Sequence, residues 1–461
     1  MRKNFLKTHD IPAVLAKTAA LSKTSIREVV ARARTLSGLT LEETALLLNA
    51  ADEELIAEIL SAAKNVKEDI YGSRLVLFTP LYVSDQCVND CLYCGFRKNG
   101  SERRGRALTK EEIQNETTAI INDGHKRILL VAAENPAITD VEYIANAVET
   151  IYSVKAGKSN IRRVNVNMAP LSIMDFKKLK ASGIGTYQLF QETYDEAAYK
   201  KAHAKGPKAD FLKRLYAMHD AMEAGIDDVG IGALFGLGDW RVETLSLLAH
   251  SMELEKTYGA GPHTISIPRL EPANGAPLST IQPNAVSDAD FMKLTAILRL
   301  AVPYTGIILS TRESAKLRNT LFHLGVSQIS ANSRTTVGGH INKEDGTAQF
   351  SVHDKRTTEE IIRELSKENF SPSFCTACYR TGRTGSDFME LAKPGEIKRF
   401  CVPNSILSFK EYLLDFGEAE MVAEGEGLIK KELEHIKDAA LRSATEKKLR
   451  EMEEGKRDLF F

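Results

Sequence analysis

The chain has little cysteine, little tryptophan and almost no charge imbalance. It holds six cysteines and one tryptophan in 461 residues. Six cysteines could close three disulfides, but an intracellular chain of this length neither needs nor keeps them. The 61 Lys and Arg almost cancel the 62 Asp and Glu. No basic surface therefore argues for nucleic acid, and no acidic tail for disorder. No apolar run reaches the roughly 18 residues of a membrane span. The first residues, Met-Arg-Lys-Asn-Phe-Leu-Lys-Thr-His-Asp, lack the apolar core of a signal peptide. The expected location is cytoplasmic, with neither nucleic acid nor membrane as partner. What is present is ordinary for a globular protein: 43% hydrophobic and 27% charged residues. The length suits one large domain with appendages.

The cysteines fall in two groups of three, Cys87, Cys91, Cys94 and Cys375, Cys378, Cys401, with none between. The first group is spaced C-x3-C-x2-C. Three thiolates this close can hold three irons of a 4Fe-4S cube and leave the fourth iron open for a small chelating ligand. S-adenosylmethionine (SAM) is the usual one in radical enzymes. The same spacing also makes one stripe of a helix, so three buried core thiols are the alternative. Asn89, Asp90 and Gly95 favour a loop. The spacing resembles the radical SAM signature.

Residues before about 73 read as helices. Thr24-Ser-Ile-Arg-Glu starts one, Thr40 and Glu43 form a capping box for the next, and a third runs from about Asp52 to Ile70 with Gly72 ending it. From residue 74 apolar, β-rich runs alternate with amphipathic segments. The strand candidates are Leu75–Val83, Arg127–Glu134, Arg162–Ala169, Thr186–Glu192, Asp228–Phe235, His263–Leu270, Gly306–Thr311 and Val326–Ala331. Clear helices between them are Lys110–Asp123, Val141–Val154, Asp210–Ala224, Val242–Tyr258, Asp288–Ala301 and Glu313–Phe322. Eight strands in βα alternation predict an α/β fold, a complete (βα)8 TIM-type barrel. A doubly wound open sheet is the alternative. The expected division is an N-terminal helical region (1–73), the barrel (74–345) and a small, mainly helical C-terminal domain (346–461) carrying the second triad.

Chemistry in such a barrel gathers where strands end. The first triad follows the first strand. Glu134 ends the second, Asn165 and Asn167 the third, Gln191 and Glu192 the fourth, and Ser310-Thr311-Arg312-Glu313 the seventh. Each alone is as readily a capped helix start. Together they suit a zwitterionic amino-acid moiety and a ribose, since carboxylates fit an ammonium, Arg a carboxylate, and amides hydroxyls. The expected cofactor-binding set is Tyr93, Glu134, Asn167, Gln191 and Glu192; the expected catalytic pair is Glu134 and Arg312. His263 differs, because it opens the sixth strand and belongs at the opposite end, a strand length of about 25 Å from the first triad. On its own it reads as a hydrogen-bonded core histidine.

The third segment carries Cys375-Thr-Ala-Cys378 and Cys401, followed by an amphipathic helix at Phe409–Phe416. A zinc site with a distant fourth ligand is one reading. A second open-sided 4Fe-4S cluster is the other, favoured because residues 402–461 offer only His435 as a further Cys or His. The tail after 417 reads as a Glu/Lys-rich helix with a solvated face.

From roughly residue 30 to 418 the sequence resembles the HydG family of iron-iron hydrogenase maturases. The matching stretches are Tyr71-Gly72, the first cysteine triad, Phe190-Gln-Glu-Thr-Tyr194, Gly225-Ile-Asp-Asp-Val-Gly-Ile-Gly232, Gly261-Pro-His-Thr-Ile-Ser266, Ser310-Thr-Arg-Glu313 and Cys375-Thr-Ala-Cys378-Tyr-Arg380 with Cys401. The thiazole-synthesis tyrosine lyase ThiH shares the barrel stretches but lacks the C-terminal triad. The resemblance implies a radical SAM lyase that cleaves the Cα–Cβ bond of L-tyrosine to p-cresol and dehydroglycine, then forms carbon monoxide and cyanide for hydrogenase maturation. It implies two 4Fe-4S clusters, the second with an extra iron, a free cysteine bridge and a histidine ligand matching His263. It also implies reduced ferredoxin or flavodoxin as electron donor and other maturases as partners. A tunnel lined by small residues, Gly230, Gly232 and Ala233, is expected to join the two ends. The sequence departs from the family pattern at Ala133, Asn332, Arg334 and His340. Asn332 and Arg334 are expected to add polar bulk near the mouth and to bear on the substrate. The alternatives are a ThiH-like 2-iminoacetate synthase, a lyase acting on another amino acid, and an iron–sulfur scaffold without radical chemistry.

Overall fold

The computed structural model describes residues 2–19, 22–100, 105–342 and 347–461. The expected boundary between residues 345 and 346 lies outside the described residues. Before the barrel, helices Lys23–Ala33, Leu41–Asn49 and Glu53–Tyr71 start on side-chain caps from Ser22, Thr40 and Asp52, and the Thr40–Glu43 capping box forms. Gly72, at φ +68°, turns the chain out of the last of these. Glu53–Tyr71 packs along the barrel helix Asp288–Ala301. Its Lys67, fully buried, donates to the Gly72 carbonyl at 2.8 Å.

Eight parallel strands follow: β1 (Leu75–Ser84), β2 (Arg127–Ala132), β3 (Arg163–Asn167), β4 (Tyr187–Gln188), β5 (Val229–Gly232), β6 (Thr264–Ser266), β7 (Gly306–Leu309) and β8 (Gln328–Ser330). They pair in sequence order, and β8 returns to β1 with Val76 opposite Gln328, so the barrel closes. All eight expected strands are present, most of them shorter than expected. Past β4 the backbone still bonds β5, from Leu189 to Gly230 at 2.9 Å and from Gln191 to Gly232 at 3.0 Å, until Glu192 turns into the left-handed region at φ +73°. The expected helix over 210–224 is broken at Tyr216 into Phe211–Leu215 and Ala217–Glu223. A small hairpin, Lys155–Ala156 with Ser159–Asn160, and the helices Ile173–Ala181 and Glu196–Ala202 carry no strong signal in the sequence.

The C-terminal segment reaches the bottom of the barrel through one short strand. β9 (Pro372–Ser373) pairs parallel with the first residues of β1, Leu75 opposite Pro372. Cys375 follows two residues later. Cys401 lies in the first turn of helix Lys398–Phe416. This helix is longer than the expected 409–416 because it runs through Pro403. The amide that Pro403 lacks would have reached only into the first turn, so one bond is lost and the helix continues. The tail is not a plain solvated face. Helices Ala419–Glu434 and Ala439–Glu453 bury Met421, Leu428, Ile429 and Met452 on the chain. A Cβ on Gly425 would stand 2.5 Å from Leu413, so glycine permits this close approach. No helix among the described residues is long and apolar enough to cross a membrane.

Candidate active site and metal centres

The first cysteine triad sits on a loop, which removes the helical-stripe reading. The amide of Leu92 donates to Ala202 at 3.0 Å and that of Cys94 to Cys91 at 3.3 Å. Asp90 holds the loop by accepting from Arg97 at 2.7 Å and Asn99 at 2.9 Å. Asn89 bridges outward, donating to Glu134 at 2.7 Å and accepting from the Lys208 amide at 2.9 Å. Cys87, Cys91 and Cys94 all line one cavity of about 190 Å³ at the C-terminal end of the barrel. The same cavity is lined by Tyr93, Glu134, Asn167, Glu192 and Arg312. These expected site residues are therefore brought together.

Gln191 is not among them. It lies one residue out of phase, with its amide 3.5 Å from the Phe211 carbonyl and its Oε1 buried without a partner. Successive strand side chains point to opposite faces, so Gln188 lines the cavity instead. Asn165 is also withdrawn, accepting from the Thr186 amide at 3.0 Å. Glu313 is engaged by Arg269 at 3.0 Å and does not line the cavity. Asn332 bonds Asp123, Arg334 bonds Asn332 at 3.2 Å, and His340 bonds the Pro80 carbonyl at 2.9 Å. None of the three lines the cavity, so the expected bulk at the mouth is absent. Their turn, with Asn332 at φ +45°, directs them away while Ser330, Ser333 and Thr335 face in.

Electrostatics divides the two carboxylates. Glu192 meets Lys208 at 2.6 Å and Arg214 at 3.2 Å. Burial alone would raise its pKa, but these two cations outweigh burial and hold it at about 2. The trio carries a net charge of +1. Glu134 has only the Asn89 amide as side-chain partner among the described residues. Arg312 forms no ion pair among them and lies 3.3 Å over the Phe350 ring. Tyr93 is fixed by His203, whose Nε2 stands 2.8 Å from the phenol oxygen. His203 Nδ1 faces the Tyr199 carbonyl at 2.8 Å and must donate there, so Tyr93 donates to Nε2. Lys208 and Arg214 stand on helical and loop sequence after β4, where nothing in the residue pattern marks them.

The segment just past the expected 345/346 boundary belongs to this upper mouth. Gly95 donates to Gln349 at 3.0 Å, and Tyr82 to the Gln349 side chain at 2.8 Å. A Cβ on Gly95 would lie 2.1 Å from the Ala348 carbonyl oxygen. Only glycine lets the cysteine loop and this covering segment approach so closely.

At the opposite end, Cys375, Cys378, Cys401 and His263 line a second cavity of about 50 Å³ with Tyr71, Arg74 and Arg127. Arg127 donates to the Cys375 carbonyl at 3.1 Å. The His263 ring packs on Tyr379 and Phe388, at centroid distances of 5.6 and 4.7 Å. The lower cavity leaves space for a few atoms and the upper for an organic molecule. They share no lining residue. On β1 the lower cavity has Val76 and the upper Phe78; on β7 they have Gly306 and Ile308. The two linings are consecutive inward layers, about 7 Å apart along a strand. Between them Gln188, from the upper lining, meets Thr264 at 3.4 Å. Gly230 and Gly232 make room for Gln188, Thr264 and Phe190 rather than lining an open channel: a Cβ on Gly230 would lie 2.4 Å from Thr264 Oγ1. Ala233 lies one residue out of phase with the inward Gly232 and Leu234 and lines neither cavity.

A crystal structure of HydG, a maturase of the [FeFe]-hydrogenase, matches 98% of this chain and 99% of its own at 47% identity and a TM-score of 0.96. The chain belongs to the HydG family. A HydG structure from Carboxydothermus hydrogenoformans matches 96% of the chain and 97% of its own at 41% identity and a TM-score of 0.83. The Radical SAM superfamily model covers residues 81–248, and the Biotin and Thiamin Synthesis associated domain model covers 266–371. The 2-iminoacetate synthase of Salmonella typhimurium is 33% identical over 74% of this chain and 89% of its own length. The HydG-family chain is thus a radical SAM enzyme, for which a 4Fe-4S cluster and SAM are the implied cofactors. The donors fit such a cluster. All six thiols are free. N–H groups aim at them, from Phe96 to Cys94 Sγ at 3.4 Å and from Ala377 to Cys375 Sγ at 3.4 Å. Burial pushes Cys91 up to about 11, and Cys94 and Cys378 up to about 12. Bound iron reverses that tendency by stabilising the thiolates. Among the described residues no three Cys, His, Asp or Glu side chains converge on a single-ion position; a cube takes one thiolate at each of three separated corners.

Proposed function

We propose that this chain is a carbon–carbon lyase that cleaves the Cα–Cβ bond of L-tyrosine, and that it serves [FeFe]-hydrogenase maturation. Cys87, Cys91 and Cys94 would hold the cluster, which with SAM would supply the 5′-deoxyadenosyl radical needed to remove a hydrogen atom from tyrosine. Arg312, with no acidic partner, receives a carboxylate. Glu134 receives an ammonium. The Glu192–Lys208–Arg214 trio, net positive, adds a second point of attraction for an anionic group. Burial of these groups away from water strengthens each contact. The cleavage gives p-cresol, after uptake of one electron and one proton, and dehydroglycine. Dehydroglycine anion then divides into carbon monoxide, cyanide and water, which balances its atoms and charge.

The observation that carries the second half is the lower cavity: His263 and the three C-terminal cysteines line one chamber at the far end of the barrel. Cys375, Cys378 and Cys401 would hold the second cluster and His263, with free cysteine, an additional iron that would supply a binding place for the diatomic products. Reduced ferredoxin or flavodoxin would supply electrons, and other maturases would accept the product. The likeness to 2-iminoacetate synthase favours a second reading in which the reaction stops at dehydroglycine; that reading leaves the lower chamber without a task.

The test is product analysis with anaerobically reconstituted protein, SAM, dithionite and L-tyrosine. The proposal expects p-cresol together with 5′-deoxyadenosine. Deoxyadenosine alone would move the substrate to another amino acid. Absence of both from fully loaded protein would favour an iron–sulfur scaffold.

A further inference from the structure

Beside the lower chamber lies a buried, incompletely satisfied pair, His263, which lines it, and Asp228 behind it. His263 Nδ1 lies 3.5 Å from Asp228 Oδ1, with both side chains almost sealed from solvent. At that separation and alignment Nδ1 makes no hydrogen bond, and Asp228 Oδ2 is likewise buried without a partner. A buried imidazole nitrogen without a hydrogen bond, beside a carboxylate with one free oxygen, is unusual in a protein interior, where buried polar atoms are almost always paired. Asp228 is nevertheless held in place. Its Oδ1 accepts from the Gly385 amide at 3.1 Å, at the start of helix Gly385–Ala392. The aromatic rings of Tyr379 and Phe388 pack on the imidazole. The ring is therefore confined with Nδ1 toward the carboxylate.

We infer that Asp228 is the positioning residue of His263: it accepts a hydrogen bond from Nδ1–H and so presents the Nε2 lone pair to an iron in the lower chamber. This rests on the proposed role of His263 as an iron ligand. A ligating histidine commonly donates its other ring N–H to a carboxylate, which fixes the tautomer and raises the basicity of the ligating nitrogen. Asp228 also joins the two parts of the site, because this carboxylate, just before β5, contacts both the histidine just before β6 and the C-terminal segment. Residue pattern alone gives no sign of its role, since Asp228 reads only as the start of the fifth strand.

The experiment measures release of chelatable iron from anaerobically reconstituted protein to a ferrous chelator, for the full chain and its Asp228→Asn, Asp228→Glu and His263→Ala variants. Asp228→Asn keeps an oxygen for the Gly385 amide but loses the charge. It is expected to hold the chelatable iron about 10–100-fold more weakly than the parent chain, while cluster iron and its visible absorbance are retained. Asp228→Glu is expected to recover most of the loss. If Asp228→Asn matches the parent while His263→Ala loses the iron, the role of Asp228 is overturned and that of His263 stands. If His263→Ala also retains it, the ligand assignment itself fails. Should Asp228→Asn shed cluster iron as well, the Glu variant decides: iron held as in the parent supports the inference, and iron lost as in Asn overturns it.

Discussion

Asn89 and Glu134 are joined by a 2.7 Å hydrogen bond that ties the cysteine loop after β1 to the end of β2. Asn89 is inside the three-cysteine motif, so the loop that would hold the cluster also orients the one cavity carboxylate without a cationic partner among the described residues. Replacing Glu134 by Ala removes a charged hydrogen-bonding group worth about 1.5–3 kcal/mol. SAM cleavage, read as 5′-deoxyadenosine formed, is expected to fall roughly 10–100-fold. Unchanged cleavage with a full complement of iron would remove Glu134 from the cofactor site.

Beneath Thr193 and Tyr194 lies a pH-sensitive support. Glu243 is fully buried and accepts from the Thr193 hydroxyl and from the Tyr194 amide at 2.9 Å. Burial raises its pKa to about 7, and the two hydrogen bonds only partly counter it. A carboxyl raised in the folded state binds its proton more tightly there than when unfolded. The stability it contributes is complete below pH 4.5 and is lost as pH rises to about 7, on the order of 3 kcal/mol in total. Glu192, lowered to about 2, has the opposite sense, and its contribution is lost as pH falls from 4.5 toward 2. Melting curves from pH 5 to 8 are expected to show a decline that Glu243→Gln removes. An equal decline in the variant would assign it elsewhere.

Gly95→Ala should dismantle the upper site. The added Cβ would meet the Ala348 carbonyl at 2.1 Å, and neither backbone can move without opening the cysteine loop. Iron analysis after reconstitution is expected to show loss of the first cluster with the second retained. Full loading of both would show that the covering segment yields freely.

The layer between the two cavities offers a separate test. A methyl at Gly230 would press on Thr264 Oγ1 and on Gln188 Cγ, 2.4 and 2.8 Å away. Overpacking of this kind costs about 1–3 kcal/mol. We expect Gly230→Ala to keep p-cresol formation while lowering iron-bound carbon monoxide, because Gln188 and Thr264 must move for a small fragment to pass. Equal losses of both products would place the effect in the upper site instead.

The six cysteines and eight strands were legible because thiolate spacing and apolar periodicity are local features. His263 was placed correctly at the bottom of the barrel by its position before β6. Gln191 was misplaced because a strand reverses facing with each residue, and a register error of one exchanges cavity for exterior; Gln188 was its counterpart. Lys208 and Arg214 were missed because they act through Glu192, a partner fixed only by the folded chain. The covering segment at Gln349 and the Asp228–His263 pair were hidden for the same reason. Each joins residues far apart in sequence.

The measurement that tests the central claim most directly compares the parent chain with Cys375→Ala, Cys378→Ala and Cys401→Ala. Each is given SAM, reductant and L-tyrosine, with p-cresol quantified and iron-bound carbon monoxide read by infrared spectroscopy. Two chemistries at two ends predict that the parent chain yields both, and that the variants form p-cresol without the carbonyl bands. Carbonyl bands of parental intensity in the variants, or no p-cresol from the fully loaded parent chain, would contradict the account.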